Sequence, residues 1–140
     1  MSFDSRPVHG GRLRAAAAQY GIAPELWLDL STGINPEPWP VPPLSPDAWA
    51  RLPEPEDGLV EAARHYYGAQ SLLPVAGSQA AIQSLPQLRR RGLVGVLSPS
   101  YAEHAHGWAR AGHRVVSLAP ESIEGALPAL DALVLVNPNN

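Results

Sequence analysis

The sequence lacks two residue types, and each absence restricts the chemistry of the chain. There is no cysteine among the 140 residues, which excludes a disulfide framework, a thiolate metal site and a cysteine nucleophile. All 10 basic residues are arginine, so the chain cannot itself perform Schiff-base or lysine-base chemistry. No run approaches the ~20 apolar residues of a membrane span, and the first residues lack the apolar core of a signal peptide. These features together favour a cytoplasmic protein.

The composition is that of a globular protein. The chain is 45% hydrophobic and 16% charged, which is enough apolar content for a core, and its length suggests one compact domain. A formal net charge of -3 gives no general attraction to nucleic acid. We therefore expect neither a nucleic acid nor a membrane as a partner.

The first half of the sequence combines short helices with a proline-rich connector. The alanine-rich segment RLRAAAAQY predicts a helix that ends at Gly21. Residues 35–46 contain six prolines, which oppose both helix and sheet, so we predict an extended connector there. A short helix is predicted for DAWARL after Pro46, and a longer one over residues 56–67 that stops at Gly68.

The second half alternates apolar runs with segments of helical length. The runs LLPVA, LVGVL, RVVSLA and ALVLV are separated by three such segments. This alternation predicts βαβ units, and hence an α/β fold with a mostly parallel sheet and flanking helices. Pro86 is expected to kink or end the first of these helices.

Three of the predicted strands are followed by residues that could bind a ligand. The first turn contains Gly77, with Ser78 able to cap the next helix, and its free backbone N–H groups could hold a phosphate. An ordinary turn between strand and helix has the same pattern, and no Walker or dinucleotide-binding motif is present. After the second apolar run, Tyr101 and His104 lie on one helical face, where they could present two rings to one ligand. Alternatively, Tyr101 and Trp108 are core residues and His104 is half exposed.

The last strand is followed by Asn137, Asn139 and Asn140, whose amides could form a turn or bind a ligand oxygen. No metal site is predicted, because His104 and His106 are two positions apart on a helix and point in different directions.

The order and spacing of GSQAAI, PSYAEH and the terminal NPNN resemble the fold-type I family of pyridoxal 5'-phosphate enzymes, which includes class I and II aminotransferases. Within that family, HGGRLRAAAAQYGI followed by DLSTGINPEP is similar to the threonine-phosphate decarboxylases of cobalamin biosynthesis. The resemblance implies an N-terminal arm and proline-rich connector over residues 1–45. It also implies that residues 46–140 are the first part of a truncated cofactor-binding large domain.

The resemblance also implies which residues bind the cofactor and the substrate. The cofactor-binding candidates are Gly77, Ser78 and Gln79 at the phosphate, His104 stacked on the pyridine ring, and Asn140 at the ring hydroxyl oxygen. The substrate-binding candidates are His9, Gly10 and Asn35. No catalytic residue is assigned within the chain, because the Schiff-base lysine of the family is absent from these 140 residues. Two positions depart from the family motifs: Gly33 replaces a polar asparagine, and Leu52 replaces a tyrosine.

The implied activity is the decarboxylation of L-threonine O-3-phosphate to aminopropanol phosphate by a full-length lyase. This chain is then an N-terminal piece of that lyase and is inactive by itself. A small phosphorylated amino acid is the expected substrate, and a homodimer is the expected assembly of the full-length enzyme. Two alternatives stay open: an aminotransferase of the histidinol-phosphate type, and a non-catalytic α/β phosphate-binding module.

Overall fold

The structure, a computed structural model, describes residues 9–139 and divides the chain into two compact units. The first unit contains the described residues up to Ile34 and those from Gly77 onward, and the second unit is Asn35–Ala76. The described residues form five α-helices, three β-strands and several short 3-10 turns.

The first unit begins with an arm that carries a single α-helix. Helix α1 spans Leu13–Tyr20, and its chain reverses at Gly21, which has the left-handed φ of 65° and donates its N–H to the Ala17 carbonyl. A residue with a Cβ is strained in this conformation, so glycine is suited to end the helix. The predicted helix and its end are confirmed.

The second unit has one α-helix and no buried residue. Residues 35–45 contain neither helix nor strand, as the prolines predict. The predicted helix after Pro46 is only a 3-10 turn, Pro46–Trp49, because this segment has too few residues to continue it. Helix α2 spans Leu59–Tyr67 and ends at Gly68, whose φ is 63°. Every residue of this unit is exposed or half-buried, so the unit has no interior of its own.

The first unit contains a sheet of three parallel strands. Strands β1 (Leu93–Leu97), β2 (Arg114–Leu118) and β3 (Ala132–Val134) are arranged in the order β2-β1-β3. The central position of Val94 pairs it with Val115 on one side and Ala132 on the other. The predicted α/β fold with a parallel sheet is confirmed.

Three helices flank or connect these strands. They are α3 (Ser78–Ser84), α4 (Ala102–Arg110) and α5 (Ile123–Ala126). Pro86 ends α3, because the chain continues as a 3-10 turn over Leu85–Leu88. The predicted strand at LLPVA is wrong, since residues 72–76 contain no strand. Pro74 lacks the backbone N–H that a strand within a sheet must donate.

The core lies between β1 and α4. It consists of Val94, Val96 and the indole of Trp108, and half-buried side chains from α4, β2 and β3 pack around them. Within residues 9–139, no helix is long and apolar enough to cross a membrane. The small core therefore fixes α4 against the sheet and places the first turn of α4 beside the carboxyl ends of the strands.

Candidate functional site

The N-terminal arm is held against the segment that follows α1. The Gly11 N–H donates to Ser31 Oγ over 2.8 Å, and that hydroxyl donates to Asp29 Oδ1 over 2.6 Å. The Ser31 N–H donates to the same Asp29 oxygen, and the hydrogen bonds from the Ser31 side chain and backbone lower the pKa of Asp29. A Cβ at Gly10 would overlap the Ser31 carbonyl oxygen. The HGG and DLS motifs are therefore in direct contact with each other.

The first turn of α4 buries a carboxylate that joins three elements. Glu103 is only 8% exposed. Its Oε1 lies 2.8 Å from His9 Nε2, and its Oε2 accepts from Gln79 Nε2 and Gln83 Nε2, each over 2.9 Å. Glu103 thus connects the arm and two successive turns of α3 to α4.

Two aromatic contacts lie beside this carboxylate. The Tyr101 ring is 5.5 Å from the His9 ring and 6.1 Å from the His104 ring, which it meets edge-on. Burial lowers the pKa of His104, so its imidazole is favoured in the neutral form. The Tyr101 hydroxyl also lies 3.5 Å from Gln79 Oε1. The predicted ring pair is therefore adjacent to the start of α3.

The turn before α3 has an open backbone. Gly77 has a φ of 80° and is the residue that precedes the helix, so the predicted cap at Ser78 is wrong: Ser78 is already the first helical residue. A Cβ at Gly77 would have no neighbour within 4 Å, and Gly77, Ser78 and Gln79 are exposed. The first N–H groups of a helix have no partner inside it, so this turn offers donors suited to phosphate oxygens.

The turns after β1 and β3 touch each other. Ser100 Oγ donates to the Leu97 carbonyl over 2.6 Å, and Asn139 Nδ2 donates to the Pro99 carbonyl over 2.7 Å. These contacts bring the carboxyl ends of two neighbouring strands together, which is where ligands bind in open parallel sheets. Asn140 lies outside the described residues.

Two cavities have His9 in their walls. The first, here called the arm cavity, has a volume of about 540 Å³, and its wall is formed by His9–Gly10, Ser31–Gly33 and Pro99–Ala102. The second has a volume of about 580 Å³ and is lined mainly by the polar side chains of Gln79, Gln83, Gln87, Glu103, His106 and Arg110, with His9 again in its wall. Gly33, which departs from the family motif, therefore lies in the wall of the arm cavity.

Most of the predicted site residues that the structure describes gather at this end of the first unit. His9 and Gly10 line the arm cavity, Gln79 contacts Glu103 and Tyr101, and His104 packs beside Tyr101. Asn35 belongs to the second unit, where its Oδ1 accepts the Glu37 N–H over 2.9 Å. The binding roles of these residues stay predictions.

Sequence reasoning missed Glu103 and Gln83. A glutamate in the first turn of a helix is explained by the helix dipole alone, so its burial has no signal in the sequence. Gln79 and Gln83 are four positions apart, which places them on one face of α3, and that spacing could have indicated a shared partner. Among the described residues, no group of three or more histidine, aspartate or glutamate side chains is placed to hold a metal ion.

The fold and the site define a class of protein: an α/β protein with cavities and polar side chains beside the carboxyl ends of parallel strands. No family model matches the sequence. The chain is, however, similar over nearly its whole length to three proteins, each named threonine-phosphate decarboxylase. That of Pseudomonas aeruginosa is 59% identical over 132 residues, which are 94% of this chain and 40% of the relative.

The other two relatives have the same name. That of Sinorhizobium sp is 45% identical over 139 residues, with 95% of this chain and 41% of the relative covered. That of Salmonella typhimurium is 27% identical over 150 residues, with 94% and 41% covered. The resemblance inferred from the motifs is confirmed, and the chain spans about two fifths of the length of the curated relatives it matches.

Proposed function

We propose that this chain is the N-terminal piece of a pyridoxal-phosphate-dependent lyase that decarboxylates L-threonine O-3-phosphate. The observation that carries the proposal is the 59% identity to a threonine-phosphate decarboxylase over nearly the whole chain. In this proposal, residues 1–45 are the N-terminal arm and connector. Residues 46–140 are the first part of the cofactor-binding large domain.

The turn before α3 and the first turns of α4 carry residues that fit pyridoxal 5'-phosphate. The open turn at Gly77 presents backbone N–H groups and the Ser78 hydroxyl, a donor set that suits a phosphate. The half-buried His104 is favoured as a neutral ring, which suits contact with an aromatic heterocycle. When bound, the cofactor provides an electron sink for a bond broken at the substrate Cα. We assign the phosphate to Gly77, Ser78 and Gln79, the ring to His104, and the ring hydroxyl to Asn140.

The arm cavity is the proposed substrate side of the site. His9 stands in its wall with the ring against Tyr101, and the backbone of Gly10 lies against Ser31. An imidazole N–H is a hydrogen-bond donor suited to a phosphate monoester. We therefore propose that His9 and Gly10 bind the phosphate of the substrate. Asn35 is proposed as a further substrate contact on the strength of the I-N-P motif.

The chain has no lysine to bind the cofactor covalently, so we expect the 140 residues alone to have no turnover. We also propose that the full-length enzyme is a cytoplasmic homodimer. The second unit has no buried residue and exposes large apolar side chains such as Trp39, Trp49 and Leu52, a surface that a partner subunit or the rest of the full-length chain would cover.

The test is expression of the uninterrupted reading frame that contains this chain, followed by incubation with pyridoxal 5'-phosphate and threonine phosphate. The proposal predicts a visible absorbance band from bound cofactor, together with aminopropanol phosphate as product. Amine transfer that depends on a keto acid would contradict the proposal and favour the aminotransferase. A reading frame that supplies no lysine, with phosphate binding but no cofactor band, would favour the non-catalytic module.

A further inference from the structure

Glu103 is a buried side chain of the site with three hydrogen-bond partners, and none of the roles above uses it. It lies in the first turn of α4 and accepts hydrogen bonds from the arm residue His9 and from Gln79 and Gln83 of α3. Its side chain is 11% exposed, whereas that of His9 is 43% exposed. The carboxylate is therefore a fixed anchor, and the imidazole is the more accessible partner.

The chemistry of the carboxylate fixes the proton arrangement of His9. An ionised carboxylate can only accept hydrogen bonds. With Glu103 ionised, His9 Nε2 donates to Glu103 Oε1 across the contact of 2.8 Å. A contact from the ring to an anionic ligand must then use Nδ1, and this nitrogen is a donor only in the imidazolium form.

The same contact determines where the ring stands. His9 precedes Gly10, whose backbone lies against Ser31, so the arm is held at two consecutive residues by two different elements. Its ring lies beside Tyr101 in the wall of the arm cavity. Without the carboxylate, the side chain of His9 keeps only this ring contact among the interactions described above.

We propose that Glu103 is a positioning residue that sets the affinity for a phosphorylated substrate by orienting His9. The inference rests on the proposed function, because the phosphate is the substrate group that His9 would bind. Glu103 does not touch the substrate itself. Its second oxygen accepts hydrogen bonds from Gln79 and Gln83 and so fixes the position of the arm relative to the start of α3.

Glu103→Gln separates these two tasks. A glutamine at 103 keeps one oxygen, which can accept from Gln79 and Gln83, but it presents an amide to His9 in place of a carboxylate. A charge-assisted hydrogen bond thereby becomes a neutral one. The exposed pair of Glu61 with Arg64 on α2 provides a matched control, because Glu61→Gln makes the same chemical change outside the first unit.

The kinetic test uses the full-length enzyme loaded with cofactor. We expect Glu103→Gln to raise the KM for threonine phosphate by about five-fold or more while kcat changes less than about two-fold. His9→Phe should raise the KM at least as much, and the double variant should be no worse than His9→Phe alone. Additive effects of the two variants, or a loss in kcat with KM unchanged, would overturn the positioning role.

A second readout needs no turnover. In the cofactor-free full-length protein, amide hydrogen exchange over residues 9–12 should become faster in Glu103→Gln and stay unchanged in Glu61→Gln. Equal protection in Glu103→Gln and the parent protein would contradict the inference. A parent enzyme that releases no carbon dioxide would instead contradict the proposed function, and the exchange experiment would still report whether Glu103 holds the arm.

Discussion

At the scale of single residues, the arm depends on close backbone approach rather than on large buried side chains. Gly10 and Gly11 lie against the Ser31–Thr32 backbone and side chains, and Asp29 orients Ser31 through two hydrogen bonds. These contacts are exposed, so each contributes only modestly to the stability of the folded protein. Together they determine the position of the neighbouring His9. A motif of two glycines after a histidine is what such a close approach requires.

Gly10→Ala tests this approach. The new Cβ would overlap the Ser31 carbonyl oxygen, and a backbone atom cannot rotate away. We expect the full-length protein to lose about 1–3 kcal/mol in its free energy of unfolding, measured by urea denaturation. The control is Gly125→Ala in α5, where a Cβ has open space and alanine favours the helix. A destabilisation by Gly10→Ala no larger than that by Gly125→Ala would contradict the account.

His104 predicts a pH dependence of stability. Burial lowers its pKa in the folded protein, so the unfolded chain binds a proton more readily. Above the usual imidazole pKa of about 6.5 both states are neutral, and stability falls as the pH drops through that value toward the lowered one. Between about pH 7 and about pH 5, the melting temperature of His104→Phe should therefore decrease less than that of the parent protein. An identical pH profile for the two proteins would refute the prediction, with His65→Phe on the exposed face of α2 as control.

At the scale of elements, the start of β1 is fixed by side chains from two later segments. Asp131 Oδ2 accepts the Leu93 N–H over 2.7 Å, and the Asp131 N–H donates to the Leu93 carbonyl over 2.8 Å. His113 lies just before β2 and bonds the residue before β1. The beginnings of all three strands are thereby connected, which leaves their carboxyl ends to form the site.

His113→Leu tests that connection. Gly92 N–H donates to His113 Nδ1, so Nε2 must donate to the Pro86 carbonyl, and the ring meets Trp108 edge-on. Leucine would leave the half-buried Gly92 N–H and the buried Pro86 carbonyl without these partners. We expect a loss of about 1–3 kcal/mol in the free energy of unfolding. His65→Leu on α2 is the exposed control, and equal stability of the two variants would be inconsistent with this role.

The elements also show what the sequence could predict. Local signals sufficed for α1 and α2, because glycine in a left-handed conformation ends both. The segment LLPVA was misassigned because its apolar residues resemble a strand, while Pro74 removes the N–H that a ladder needs. The part of the candidate site at the carboxyl ends of β1 and β3 was predictable, because polar residues directly follow these apolar runs in the sequence. The hydrogen bonds of Glu103 were not, because they join residues 20 to 94 positions apart.

At the scale of the whole molecule, apolar surface is distributed unevenly. The second unit exposes Trp39, Trp49, Leu52, Tyr66 and Tyr67, and none of its residues is buried. Surface of this kind is usually covered by another part of a protein or by a partner. We therefore expect the 140-residue chain, purified alone, to self-associate. Light scattering after size-exclusion chromatography checks this, and a monodisperse monomer at micromolar concentration would contradict it.

The absence of lysine limits the chemistry that this chain can perform without the rest of the full-length protein. The 140 residues contain no lysine, and the chain spans about two fifths of the length of the matched relatives. In the proposed function, the arm, the carboxyl ends of β1 and β3 and the turn before α3 supply parts of the cofactor and substrate site. The bond-breaking chemistry itself is proposed only for the full-length protein.

The most direct test of the central claim is carbon dioxide release by the full-length protein from threonine phosphate labelled in the carboxyl carbon. The account predicts labelled carbon dioxide in equal amount to aminopropanol phosphate, dependent on added pyridoxal 5'-phosphate, and far less from threonine without its phosphate. Retention of the label in the amino acid or in a keto acid, with the cofactor bound, would contradict it.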